Sequence, residues 1–155
     1  LVDREKGKQV TLVRSEAFRF QRTLTPEELQ VSNPDDIKII AGSNGAPSHF
    51  DFVAGVGVVF GQYITLPKGL YFATFSLELP TPASGVVAIL DVFAHERTLA
   101  QKLLQGETLE GGTKQIVVPF ELSERTPEIE TRVRGKGTRL ILRSISIEQT
   151  TPTAP

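Results

Sequence analysis

The chain has 155 residues, 39% of them hydrophobic, and its 17 basic and 18 acidic residues are spread along it for a net charge of -1. That is the size of one domain around a single core, and without a concentrated basic patch it argues against a nucleic-acid partner. With no Cys and only two histidines, His49 and His95, disulfides, thiol chemistry, Cys-based zinc sites and multi-histidine metal sites are excluded.

No apolar run approaches the roughly 20 residues of a membrane helix, and the N-terminus lacks the charged-then-apolar layout of a signal peptide. Met is absent even at position 1, which reads as a processed product or a domain cut from something larger. After a polar start, residues 9–14 and 16–20 read as short strands. Thr25-Pro26-Glu27-Glu28 is a helix-start signal, with Thr as N-cap, Pro at the first helical position and Glu three residues after the cap. Ser32-Asn33-Pro34 keeps that helix short, Asp35-Asp36 reads as a turn, and residues 37–40 read as a strand. Residues 41–49 (AGSNGAPSH) are rich in turn formers and predict an exposed loop.

The glycine-rich run 55–61 opens no helix and reads as strand with bends. Residues 58–80, VVFGQYITLPKGLYFATFSLELP, read as two strands meeting at a corner, where Pro67 fixes φ and Gly69 accepts backbone conformations other residues resist. In the second strand Tyr71, Ala73, Phe75, Leu77 and Leu79 share one face, while Phe72, Thr74, Ser76 and Glu78 share the other. Residues 86–94 are apolar on both faces except at Asp91 and suit an interior strand. Residues 97–105 have leucines at helical spacing, but their setting between strands favours a strand. Residues 114–122 are a strand whose Pro119 implies an edge or a bulge. Residues 128–134 alternate, and Gly135-Lys136-Gly137 predicts a C-terminal hairpin with residues 138–148. The tail TTPTAP, residues 150–155, is linker-like; its PTAP is a short recognition motif that Pro-rich linkers also produce by chance. The expectation is an all-β, antiparallel β-sandwich of jelly-roll type with one short N-terminal helix, spanning residues 1–149 ahead of the tail.

Gly61-Gln62-Tyr63, Leu66-Pro67-Lys68-Gly69-Leu70-Tyr71 and the alternating 72–79 run resemble a pattern in galactose-binding-like jelly-roll modules, although Gln62 stands where that pattern has Pro. Ala88-Ile89-Leu90-Asp91-Val92, Val117-Val118-Pro119-Phe120-Glu121-Leu122, Glu130-Thr131-Arg132-Val133 and Thr138-Arg139-Leu140-Ile141-Leu142 continue the resemblance, which covers residues 58–148. It implies a non-catalytic carbohydrate-binding or accessory module of a larger bacterial protein. A glycan or a neighbouring domain would be its partner, and an extracellular or cell-surface location is favoured. The alternative is a structural docking domain with no ligand of its own. Such modules often hold a structural calcium where N- and C-terminal strands meet, which would fall to Glu16 and Glu148; no other cofactor is expected.

No phosphate loop, HExxH or GxSxG is present, and Asp35, Asp36, Asp51, Asp91 and Glu96 sit in no catalytic motif. Sugar binding needs an aromatic platform with polar groups beside it. Trp is absent, and Tyr63 and Tyr71 both read as scaffold. The expected ligand-binding residues are therefore Asn44, His49 and Asp51 on the loop beginning at Ser43, with His95 and Arg97 on the turn after Ala94. Arg132, Arg134, Lys136, Arg139 and Arg143 read as a solvated face of the last hairpin, with an anionic glycan or phosphate surface as the alternative.

Overall fold

Buried side chains at every second position organise the chain. In a computed structural model, which describes residues 20–150, Tyr71, Ala73, Phe75 and Leu77 are buried, as are Ile116, Val118, Phe120 and Leu122. The strands are β1 (Gln21–Leu24), β2 (Gln30–Val31), β3 (Lys38–Ala41), β4 (Pro47–Phe52), β5 (Val58–Leu66), β6 (Gly69–Glu78), β7 (Val86–Ala94), β8 (Arg97–Gln105), β9 (Lys114–Leu122), β10 (Thr126–Gly135) and β11 (Leu140–Gln149). They form a six-stranded sheet, β3-β4-β11-β6-β9 with β1 also beside β11, and a five-stranded sheet, β2-β5-β10-β7-β8. All pairings are antiparallel. One core contains inward residues of both sheets, among them Phe75, Ile145 and Phe120 from the first and Val59, Leu90 and Val133 from the second. Burying each such side chain contributes about 2 kcal/mol. This is the expected jelly-roll sandwich.

The corner at Pro67 carries the chain from the five-stranded to the six-stranded sheet. Tyr71 secures it: the ring stacks on Phe120 at 5.2 Å between centroids, 13° apart, and the hydroxyl donates to the Pro67 carbonyl at 2.6 Å. Pro119 lies on β9, an edge strand, as its missing N–H requires.

Three local expectations change. The helix signal yields a single 3-10 turn, Pro26–Glu28. Glu28 accepts from the Thr25 N–H at 3.0 Å and from Arg22, but β2 begins at Gln30, so the cap leads into a strand. The predicted loop 41–49 is shorter, because Pro47–Phe52 is paired as β4. Only residues 42–46 turn, closed by Gly42 N–H to the Ala46 carbonyl at 2.7 Å.

The third change is the largest. β10 and β11 belong to different sheets and form no hairpin. The connecting backbone bonds elsewhere: Gly135 N–H to Gly57 O at 2.9 Å, Lys136 N–H to Val87 O at 3.1 Å and Gly137 N–H to Gly55 O at 2.7 Å. Glycines permit this arch, because a Cβ on Gly135 would lie 2.5 Å from the Gly55 carbonyl oxygen and Gly55 itself has φ +73°. Of the five cations assigned to a hairpin, Arg132 and Arg134 consequently lie on β10, Arg143 on β11, and Lys136 and Arg139 on the connection between them. Arg132 pairs with Asp91, Arg139 with Asp51 and Arg143 with Glu78.

The strands expected in residues 9–14 and 16–20, apart from Phe20, which precedes β1, and tail residues 151–155 lie outside the described residues. Among the described residues no helix is long and apolar enough to cross a membrane.

Gly135→Ala should lower stability by about 2 kcal/mol, since the added methyl meets backbone that must shift. A thermal midpoint within a degree of the parent would contradict the close approach of the two glycine loops.

Candidate functional site

The register of β10 against β5 slips twice. Thr126 and Ile129 pair with Leu66 and Ile64, so β10 carries an extra residue; Ile129 and Thr131 then pair with Ile64 and Gly61, so β5 carries the next. Bulges of this kind re-aim side chains. Here Ile129, Glu130 and Thr131 are all buried in sequence, and Thr131 Oγ1 donates to the Gly61 carbonyl at 2.9 Å. Tyr63 is left standing outward, 57% exposed. Glu128, within the first bulge, takes φ +58°.

On the next strand, the β7–β8 turn places His95 and Glu96 at φ +51° and +62°. These, with Glu128, are the described non-glycine residues in the left-handed region, and all three line one groove. It has a volume of about 250 Å³ and is completed by Tyr63, Phe93 and Glu130. At His95 and Glu96 a two-residue hairpin turn requires such backbone at both positions, and at Glu128 it accompanies the bulge.

Beside the groove Arg132 is fully committed. Its Nε and Nη2 meet Asp91 at 2.7 and 2.9 Å, its guanidinium carbon lies 4.0 Å from the centre of the Phe93 ring, and Nη1 reaches Glu130 Oε1 at 3.9 Å. Asp91 is buried, so the pair is two-pronged and largely desolvated. Glu130 Oε2 is buried with no hydrogen-bond partner. Glu130 pushes the Tyr63 phenol above its usual range, first as an acceptor in reach of the hydroxyl and then by charge.

A second groove of about 150 Å³ adjoins at His95, lined also by Ala94, Arg97, Glu124 and Arg125. A third, about 530 Å³ and mostly apolar, lies where β6 begins, between Leu70, Phe72, Leu99 and Pro119.

Of the expected site residues, the fold brings His95 and Arg97 together on the second groove, and His95 also lines the first. Asn44, His49 and Asp51 stand on the β3–β4 hairpin of the other sheet and line none of these grooves. Asn44 accepts from the Ala46 N–H at 3.0 Å, His49 Nδ1 is 3.2 Å from Ser48 Oγ, and Asp51 is buried against Arg139 at 2.7 and 3.0 Å. Glu148 lies on β11 opposite Gln21, so the two ends of the described chain do meet; Glu16 is outside the described residues. Among the described residues no group of three or more His, Asp or Glu is arranged to hold a metal ion. The sequence reading missed Tyr63 and Phe93. The signal available for Tyr63 was its place one residue from buried Ile64 in an alternating strand.

No protein-family model and no curated protein sequence matches the chain. Solved structures do. The C-terminal CBM6 of LamC, a marine laminarinase from Zobellia galactanivorans, superposes with a TM-score of 0.60 at 15% identity, covering 84% of this chain and 100% of that one. The carbohydrate-binding module CBM6cm-2 of Cellvibrio mixtus lichenase 5A, solved with cellotriose, gives 0.59 at 14% identity over 84% and 98%. A cyclase from Fischerella sp. TAU gives 0.55 at 11% identity over 87% and 90%. The chain thus shares the β-sandwich fold of these carbohydrate-binding modules, a fold that the cyclase also has.

Two outcomes test the site geometry. The folded state holds both tyrosines protonated beyond the ordinary value of 10, Tyr71 by burial up to about 12 and Tyr63 through Glu130. Their contribution to stability is therefore full below pH 10 and lost as pH rises through the raised values. A tyrosinate absorbance titration should show this, and Glu130→Gln should return Tyr63 alone towards 10; both phenols ionising together near 10 in the folded protein would refute it. Arg132→Met should cost about 3 kcal/mol in urea unfolding by stranding buried Asp91, with partial recovery in the Asp91→Ala background.

Proposed function

We propose that the protein is a non-catalytic carbohydrate-binding module that holds sugar in the groove between Tyr63 and Phe93. The observation that carries this reading is an exposed tyrosine ring beside the carboxylates that line its groove. A pyranose presents a C–H face to an aromatic ring and hydroxyl donors at its rim. Tyr63 supplies the ring, and Glu96, Glu128 and Glu130 supply acceptors. Glu128 and Glu130 come from β10 and Glu96 from the β7–β8 turn, so the groove offers hydroxyl acceptors from two elements. The sandwich shared with sugar-binding modules, one of them solved with cellotriose, supports the same reading. His95 and Arg97 form the rim on the adjoining groove. An extracellular or cell-surface setting, within a larger bacterial protein, fits that role.

A second surface favours a neighbouring domain as a further partner. Leu70, Phe72 and Val117 are 45%, 42% and 38% exposed on adjoining strands of the six-stranded sheet, an apolar area of the kind that marks protein contacts.

The test is calorimetric titration of the full chain against a panel of neutral and charged oligosaccharides. Tyr63→Ala should weaken the best ligand at least about tenfold, equivalent to about 1.4 kcal/mol, with the thermal midpoint nearly unchanged because the ring is exposed. Undiminished binding would move the site elsewhere. Silence across the panel would end the carbohydrate reading and leave the docking surface.

A further inference from the structure

The groove's charge selects among sugars, an inference that rests on the carbohydrate reading above. Its lining contains three carboxylates, Glu96, Glu128 and Glu130, against one histidine, His95. The cation closest to Glu130 in the chain, Arg132, offsets them only in part: its fork is taken up by Asp91 and its face by Phe93, and only Nη1 reaches Glu130, at 3.9 Å. Arg97 and Arg125 line the adjoining groove instead.

Glu130 makes the deficit specific. It is 92% buried, being 8% exposed; Oε1 has a long 3.9 Å contact to Arg132, the Tyr63 hydroxyl lies in reach of the carboxylate, and Oε2 makes no hydrogen bond of its own. A buried carboxylate oxygen without a donor is strongly disfavoured unless something supplies one. A sugar hydroxyl would supply a neutral donor. An ammonium group would supply a donor and a compensating charge together, in a site partly screened from water, where such pairs are strongest.

We propose that the groove recognises a sugar residue carrying a protonated amine, the ring lying on Tyr63 and the ammonium pairing with the Glu130 carboxylate within the field of Glu128 and Glu96. Uronate and sulfate sugars are repelled by the same carboxylates.

The experiment compares β-1,4-linked oligosaccharides of equal length, glucose-based, N-acetylglucosamine-based, glucosamine-based and uronate-based, at mildly acidic pH where the sugar amine is protonated. The glucosamine series should bind at least about tenfold tighter than the neutral two, and its advantage should shrink as salt rises. Uronates should not bind. Glu130→Gln, nearly isosteric, should bring the amine and neutral affinities together, and Glu128→Asn, which suits the left-handed backbone, should narrow the gap if the first variant folds poorly. Neutral or uronate sugars binding as tightly as the amine series, in a manner sensitive to Tyr63→Ala, would overturn this proposal while leaving the carbohydrate reading in place. Absence of binding by every series would overturn both.

Discussion

The hydroxyl of Tyr71 on the Pro67 carbonyl is the tie on which the sandwich depends. Its ring is buried against Phe120 in one sheet, while the carbonyl it holds ends the strand that leaves the other. A corner between two sheets would otherwise leave a turn free to adjust its angle, and the sheets could slide. Fixing it from inside the core joins the packing of one layer to the direction of the next. The glycine arch between β10 and β11 crosses between the same sheets, with backbone contact taking the place of a side chain.

Between these crossings, β5, β7 and β10 each turn one face to the core and the other outward. A side chain on the outer face is as precisely placed as the buried neighbour beside it. That is why Arg132 can meet Asp91 with both prongs and lie flat on Phe93. The consecutive bulges exploit the same rigidity. They move Tyr63 and Glu130 off the regular alternation without loosening the core beneath, since Ile64 and Ile129 stay buried. The groove is therefore built on paired strands rather than on loops, a setting that holds its geometry before a ligand arrives.

The sandwich does not by itself decide what is done with it. Sugar-binding modules and a cyclase share it with this chain at 11–15% identity, as expected when function resides in sites grafted on a common frame. What distinguishes this molecule is local: an exposed tyrosine, a buried carboxylate with one oxygen making no hydrogen bond, and left-handed residues around both.

The frame was legible in the amino-acid order because burial is a local rule. Tyr71, Ala73, Phe75 and Leu77 announce an inward face at period two, Pro119 announces an edge, and the Pro67–Gly69 corner announces a change of sheet, each within a few residues. The groove was not legible, because it is made across strands. Glu130 follows Tyr63 by 67 positions and they meet through a slipped register that no periodicity reveals. Asp51, which resembles a free loop acid, is claimed by Arg139, and the apparent hairpin at Gly135 divides its arginines between two sheets. Alternation determined which residues lie inside. Only long-range pairing, set by core packing and the two bulges, decided which of the remaining polar groups neutralise one another and which are left to face a ligand.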